Sequence, residues 1–442
     1  FILGVITLFF AIGQGNLSFD SIEANLGNAS NGLLVLSGFL LFVGAMGKSA
    51  QIPLYTWLPD AMAGPTPISA LIHAATMVTA GVYMVARFHF LYVDIEGIGI
   101  FIAYIGAFSA LLAAIIATKQ QDIKKILAYS TMSQLGYMFI GVGLGFYSTG
   151  LFHVFTHAFF KAMLFMAAGG MIIALHHEQN IFKMAQHRVQ TPIIAFCMLV
   201  GVIAISGIPP FSGFFSKDAI LAAAFQEGQY ILWGIGMFTA FLTAFYMFRL
   251  YFILFVAPNK HTGTEYVYTS KTITIPLLVL AVGAIGAGFL NLPTVLGGHH
   301  LVDTWLAQLN SKHIHMSHTM EYVLMALSVI VAAAGIGAAY NKYAHYDVYK
   351  PESEEGTIAN KFYVDEIYNA VFVQSTKKIS VFIDKFLDER LIDKFIMEGC
   401  KQFIGIGKLV GLLQNANVRF YGLFMLLGIS SIFIYLYISL GL

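Results

Sequence analysis

The sequence predicts an all-α, polytopic transmembrane helical bundle with inverted five-helix repeats, two broken helices and a long C-terminal amphipathic helix. Three observations carry this. Hydrophobic residues make up 58% of the 442 and charged ones 11%, against about 25% charged in ordinary soluble domains, and mean hydropathy is +0.76. Apolar runs of roughly 20 residues, the length of a bilayer-crossing helix, recur along the chain. Two of those runs are too long and carry proline in mid-course.

In hydrocarbon each run must close its own backbone hydrogen bonds, which leaves a helical bundle as the architecture. The tail of one span occupies residues 1–12, and others lie near 32–60, 66–91, 98–118, 123–146, 148–175, 192–226, 228–257, 273–292, 319–340 and 418–441. Phe1 already lies inside an apolar segment, with neither an initiator Met nor a signal-peptide n-region, so the sequence is expected to begin partway through a longer protein. One set of connections holds Lys119, Lys124, Lys125, Lys183, Arg188, Lys260, Lys271, Lys342 and Lys350, and the opposite set holds Lys312 and, at a helix end, Arg87. Positive residues stay on the cytoplasmic side, so the first set is expected there, and the stretch after Lys342 is expected to start on that side.

A net charge of +1 without a basic face excludes nucleic acid as a partner. Two cysteines, Cys197 and Cys400, are too few for an iron–sulfur cluster or a disulfide framework, and no phosphate-cradling glycine loop occurs. No cofactor is expected on this chain. His299, His300, His313, His315 and His318 crowd one outer loop, but neither cysteine nor helical spacing supports a metal site.

The broken helices lie at Gly44 to Ala61 and Ile205 to Ala219, each expected to break at its Ile-Pro step, where proline removes a backbone donor and clashes with the preceding turn. Lys48 stands near one break and Lys217 near the other. The helices that follow echo each other, Thr79 to Arg87 against Thr243 to Arg249. They lie five helices apart, an odd number, so the two copies run inverted, as in transporters that place broken helices at the midplane. A buried lysine needs a counter-charge or a depressed pKa. The acids before Gln121, namely Asp20, Glu23, Asp60, Asp94 and Glu96, sit at loops or helix ends, so the partner of Lys48 is expected on a helix preceding Phe1.

The strongest functional signal is Leu151 to Ala162. His153, His157 and Lys161 stand four residues apart, which keeps them on one slowly drifting helical stripe. Lys161 is roughly 20 Å of helix from either end of its apolar run, too deep to reach a headgroup. A charge near the bilayer centre costs at least ~2.5–3.5 kcal/mol, so such residues face a wet or protein-lined interior. Upstream, Lys124 and Lys125 open a helix whose Ser130, Ser133 and Gln134 suit a hydrated bundle interior, with Lys125 read as an interface anchor. Near the C-terminus, Ser375 to Ala416 alternates charged and apolar residues over roughly 60 Å of helix. It is too charged to span and suits a helix lying along a membrane or against other helices, unless Gly399, Gly405, Gly407 and Gly411 divide it.

These stretches together resemble the large antiporter-like subunit, subunit L type, of respiratory complex I, the proton-pumping NADH:quinone oxidoreductase. The resemblance is carried by Gly44 to Ala80, Leu127 to Tyr137, His153 to Ala162, Gly207 to Asp218, Phe362 to Tyr368 and Leu413 to Tyr421, and covers essentially the whole chain. It implies an end of a first antiporter-like repeat at 1–91, a second, inverted repeat at 92–257, extra transmembrane helices at 258–360, a lateral helix at 361–417 and a transmembrane anchor at 418–442. It further implies a proton relay through Lys48, His73, Lys124, His153, His157, Lys161 and Lys217, with a glutamate on an absent fifth helix paired to Lys48. FMN, iron–sulfur clusters and quinone are expected in partner subunits, and the lateral and final helices are expected to contact other membrane subunits and lipid. The same core occurs in Mrp-type sodium/proton antiporters and in some hydrogenase and bicarbonate-uptake complexes, which makes a secondary antiporter the alternative, with a non-pumping scaffold as a third reading.

Overall fold

The computed structural model describes residues 1–442 apart from 14–15, 96, 188–190, 260–269, 299, 310, 354, 413, 415 and 442. Arg188, Lys260, His299 and Glu96 therefore lie outside the described residues. The chain divides into two units, Phe1–Phe362 and Tyr363–Leu442. Both are helical.

The first unit contains α1 (Ile2–Ile12), α2 (Asn31–Lys48), α3 (Thr66–Ala74), α4 (Ala80–Arg87), α5 (Ile98–Ala117), α6 (Ile123–Gly143), α7 (Tyr147–Ala174), α8 (Pro192–Ser206), α9 (Ser212–Gln226), α10 (Tyr230–Tyr251), α11 (Lys271–Gly286) and α12 (His318–Tyr343), with shorter turns between them. Among the described residues of the whole chain, seven helices are long and apolar enough to cross a membrane. The remaining expected crossings are broken, short or, in α6, too polar to stand out by hydropathy. Helix α6 tolerates that polarity because it is the centre of the bundle: from Ile123 to Val142 every residue is buried except the half-buried Lys125. A helix surrounded on all sides needs partners for its polar groups from its neighbours.

The tightest neighbour of α6 is α5, and glycine permits the approach. A Cβ added to Gly106 would stand 2.6 Å from the carbonyl oxygen of Gly136. The two backbones meet there with no room for a side chain.

Both expected breaks occur. The first separates α2 from the short helix Trp57–Asp60, and the freed backbone groups find side-chain partners. Ser109 Oγ accepts from the Ile52 amide at 2.9 Å, and Trp57 Nε1 donates to the Gly47 carbonyl at 2.9 Å. The second falls between α8 and α9, where Gly207 takes a left-handed φ of 76°. A third break was not expected: residues 66–91 read as one continuous span, but α3 ends at Ala74 and α4 begins at Ala80. Ser49 Oγ donates to the Val78 carbonyl at 2.6 Å and accepts from the Gly81 amide at 3.1 Å. The first break thus reaches across and holds the third open.

Loops at one end of the unit meet through Gln121, Asn180, Arg249 and Glu352. Asn180 donates to Gln121 Oε1 at 3.0 Å, and Gln121 donates to the Glu352 carbonyl at 2.7 Å. The other end is joined by Lys312, whose amide donates to the Gly145 carbonyl at 3.0 Å and whose ammonium pairs with Glu227 at 2.7 Å. This alternation matches the two sets of connections read from the sequence.

The second unit holds a helical run through Val364–Tyr368, Asn369–Val373, Gln374–Ile383, Asp384–Asp393 and Lys394–Leu412, followed by Val418–Leu440. The run starts about ten residues before Ser375 and stops at Leu412, short of Ala416. Gly399, Gly405, Gly407 and Gly411 do not divide it. Its irregularities are instead the two π-helical stretches at Asn369–Val373 and Asp384–Asp393, which change the register of the side-chain stripe.

Candidate functional site: a buried lysine and histidine row

Helix α7 presents His153, His157 and Lys161 on one face, and all three side chains are fully buried. The rings of His153 and His157 lie 6.4 Å apart between centroids, so the four-residue step produces a continuous row. The row is walled by α6, α9 and the end of α3.

His153 makes two side-chain hydrogen bonds, Nδ1 to Ser216 Oγ on α9 at 2.9 Å and Nε2 to Gln134 Oε1 on α6 at 3.0 Å. Thr156 Oγ1 lies 2.7 Å from the same Ser216 hydroxyl. His157 Nδ1 meets the carbonyl of Ala74 at 3.0 Å. A carbonyl only accepts, so the ring proton sits on Nδ1 and Nε2 keeps its lone pair. The third helix break supplies that carbonyl, because α3 ends at Ala74 and leaves it outside the helical ladder.

Lys161 donates to the hydroxyl of Ser130 on α6, and its ammonium lies 5.7 Å from the Phe165 ring centroid. On Phe165 the imidazole of His73 is stacked at 5.1 Å and 24°. Lys161 is within electrostatic reach of both His73 and His157. Both ring nitrogens of His73, Nε2 of His157 and Nζ of Lys217 are buried without a protein hydrogen-bond partner. Buried polar atoms are ordinarily satisfied by protein or by ordered water, so this row has the donor set of a hydrated path.

Lys217 sits on α9 with its ammonium 4.8 Å above the ring of Tyr137. A cavity of about 10 Å³ lies against Lys217, Asp218, Ser206 and Ser328, room for about one water. Asp218 accepts from Ser328 Oγ at 2.6 Å and also lines a second, larger cavity of about 640 Å³ with His300, Asp303, His315 and Glu321. At the opposite end of α6, the Lys124 ammonium donates to the carbonyls of Gly64 at 3.0 Å and Met62 at 3.3 Å. Asp122 caps that helix by accepting from the amides of Lys124 and Lys125.

Six of the seven residues singled out in the sequence are buried: His73, His153, His157, Lys161, Lys217 and Lys124. Lys48 is exposed, which corrects its reading as a buried amine equivalent to Lys217. It is the last residue of α2, and the turn that follows, with Ser49, Ala50 and Gln51 buried, takes the interior place. Gln134 was read only as a water-holding side chain, while Ser216, Thr156, Tyr137 and Phe165 carried no signal of their own. Among the described residues no group of three or more His, Cys, Asp or Glu side chains is placed to hold a metal ion.

Residues 1–243 match the family described as NADH:quinone oxidoreductase/Mrp antiporter, TM. The chain belongs to this family. NAD(P)H-quinone oxidoreductase subunit 5, organellar chromatophore 1, of Paulinella chromatophora is 37% identical over 98% of this chain and 71% of its own length. NAD(P)H-quinone oxidoreductase chain 5 of a Picosynechococcus species is 39% identical over 96% of this chain and 69% of its own, and NADH-quinone oxidoreductase subunit L of Neisseria meningitidis is 36% identical over 97% and 71%. The chain therefore spans about 70% of the length of these family members. Among solved structures, the archaeal membrane-bound sulfane sulfur reductase aligns with TM-score 0.60 at 25% identity, covering 76% of this chain and 64% of that one. The Mrp complex from a Dietzia species aligns with TM-score 0.54 at 21% identity, covering 99% of this chain and 45% of that one, and shares the fold.

Proposed function

We propose that this chain is the antiporter-like, proton-translocating membrane subunit of an NADH:quinone oxidoreductase, moving protons through its lysine and histidine row while quinone is reduced in other subunits. The observation that carries the mechanism is the burial of Lys161 beside Ser130, His157 and His73, at a depth where an amine has no solvent of its own. A proton enters at the Lys124 end of α6, passes Lys161, His157 and His153, and reaches Lys217. It then leaves by Asp218 and the larger cavity. Each group is a base when neutral and a donor when charged. Lys48, at the surface of this unit, is the contact through which charge on a neighbouring segment is sensed.

In this reading the helices after the two proline breaks belong to inverted repeats, supported by the recurring Thr-Ala to Arg pattern at Thr79 to Arg87 and Thr243 to Arg249. The protein lies in the bacterial inner membrane with Lys119, Lys125 and Lys183 at the cytoplasmic end. FMN, iron–sulfur clusters and quinone are held by other partner subunits, and the helix Lys394–Leu412 with the run before it lies laterally against neighbouring membrane subunits. An Mrp-type sodium/proton antiporter remains the alternative; the relatives at 36–39% identity favour the oxidoreductase. Purification settles the choice. Co-purification with flavin and iron–sulfur subunits, together with NADH-driven acidification inside proteoliposomes that falls in Lys161→Ala, supports the proposal; sodium/proton exchange without redox partners overturns it.

A further inference from the structure

His153 lies at the junction of α6, α7 and α9, and each of its hydrogen bonds has a reversed counterpart within reach. In one polarity Nε2–H donates to Gln134 Oε1, and Nδ1 accepts from the Ser216 hydroxyl, which accepts in turn from Thr156. In the other, the Gln134 amide turns and donates Nε2–H to the ring, and the ring donates Nδ1–H to Ser216. The displaced hydroxyl protons then have acceptors waiting: the Ser212 carbonyl lies 3.3 Å from Ser216 Oγ, and the His153 carbonyl lies 3.2 Å from Thr156 Oγ1. Gln134 Nε2 is buried and has no other protein partner, so its amide is not fixed in one orientation by a second bond. All four side chains involved are fully buried.

We propose that Gln134 and Ser216 are positioning residues that select the tautomer of His153 and thereby open or close its proton exchange. This rests on the relay reading above and specifies how one member of the relay is controlled. A neutral imidazole takes up a proton only at the nitrogen that carries none. In the first polarity that nitrogen is Nδ1, facing Ser216, a hydroxyl that passes protons readily and precedes Lys217 in the chain. In the second it is Nε2, facing an amide N–H that is not a proton carrier, and exchange stops. The Gln134 amide is the moving part, and its half-turn needs no backbone motion.

The test uses the assembled oxidoreductase in proteoliposomes, reading protons moved per electron across a pH series, with electron transfer and native-gel abundance as controls. Gln134→Leu removes both donor and acceptor and is expected to lower the ratio several-fold, whereas Gln134→Glu keeps an acceptor for Nε2–H, retains most pumping and adds a new ionisation to the pH profile. Ser216→Ala is expected to lower the ratio and Ser216→Thr to restore it, a pair that does not depend on the folding of the Gln134 variants. A wild-type ratio and pH profile in Gln134→Leu, equal impairment of Gln134→Leu and Gln134→Glu, or normal pumping in Ser216→Ala each overturns the proposal. Lys161→Ala and Lys217→Ala run alongside: if they pump normally the relay reading itself fails, and if they fail while the Gln134 and Ser216 variants pump normally, only the selector is rejected.

Discussion

The ammonium of Lys161 on α7 donates to the hydroxyl of Ser130 on α6, and both side chains are fully buried. The pair joins the helix that carries the histidine row to the helix at the bundle centre. Lys161→Ala is expected to lower pumping per electron by about tenfold or more, with little change in assembled complex. Ser130→Ala keeps the amine but removes its acceptor, and leaving a buried donor unsatisfied costs ~1–3 kcal/mol. Its pumping is expected to fall less than in Lys161→Ala. Proteoliposome acidification measures both.

Lys217 and Lys125 provide the contrast. Lys217 is buried with its ammonium against Tyr137 and beside a water-sized cavity, while Lys125 is half-buried at the first turn of α6. Lys217→Ala is expected to match Lys161→Ala in the same assay, and Lys125→Ala to stay within about twofold of wild type. A severe loss at Lys125 would place the proton entry at that residue and not at Lys124.

Much of this arrangement was legible from local pattern. Apolar run length gives the crossings, the Ile-Pro steps give two of the breaks, and the four-residue spacing gives the row on α7. The third break was not legible, since Ala74 to Thr79 contains neither proline nor glycine. It is imposed by Ser49, some thirty residues earlier, and used by His157, some eighty residues later. Gln134 and Ser216 were hidden for the same reason: a hydrogen-bond partner for a buried histidine is chosen by helix packing, and sequence distance says nothing of it. Lys48 misled because it stands near the first proline break as Lys217 stands near the second, but it is the last residue of α2 and its side chain is exposed.

The α5/α6 crossing is expected to be intolerant. With Gly106 and Gly136 in backbone contact, Gly106→Val forces the helices apart, and overpacking of this kind costs ~1–3 kcal/mol or more. Because α6 carries Ser130 and Gln134, the shift also moves the row. Reduced assembled complex in native gels, with lower pumping in what remains, is the expected result, and Gly97→Ala, which has open space around it but a positive φ, serves as a strained control away from the crossing.

The buried Arg249 pairs with the half-buried Glu352 at 3.2 Å, with Lys342 and Tyr343 also donating to the Glu352 carboxylate at 2.9 Å each. Arg249 donates in addition to the Gln120 carbonyl at 2.8 Å, so the cluster ties the segment after α12 to the start of α6. Burial acts to raise the Glu352 carboxyl, but the Lys342 hydrogen bond, the Arg249 charge and the Tyr343 hydroxyl outweigh it and hold it below the ordinary carboxylate value. A carboxyl depressed on folding contributes stability that is present above its unfolded value, about 4.3, and is lost as pH falls through the folded value. The thermal midpoint of the purified complex is therefore expected to fall more steeply on acidification in the wild type than in Glu352→Gln, the two curves converging at the acid end. Arg249→Leu, which breaks the pair but leaves Lys342 and Tyr343 on the carboxylate, is expected to destabilise at neutral pH by less than the ~3–5 kcal/mol that an uncompensated buried charge costs.

The last prediction concerns the second unit. Its helical run from Val364 to Leu412 is about 70 Å long at the standard rise, more than twice the roughly 30 Å hydrocarbon core of a bilayer. Charges such as Lys378, Asp384, Lys385, Asp388 and Lys394 recur along it and forbid insertion, while Ile379, Phe382, Phe386 and Phe395 form an apolar stripe that needs covering. Phe382 and Phe386 stack at 5.6 Å between ring centroids, so these two members of the stripe meet across the start of the second π-helical stretch. A surface of that length exceeds what one small bundle offers, so the partners expected are neighbouring membrane subunits, with Val418–Leu440 as the terminal anchor. Deleting residues 375–442 should leave the relay helices folded, because the first unit has its own core, and should reduce assembled complex before it reduces turnover per complex. Native gels of membranes from wild type and truncation measure this directly, and equal amounts of intact complex in the two would reject the clamp.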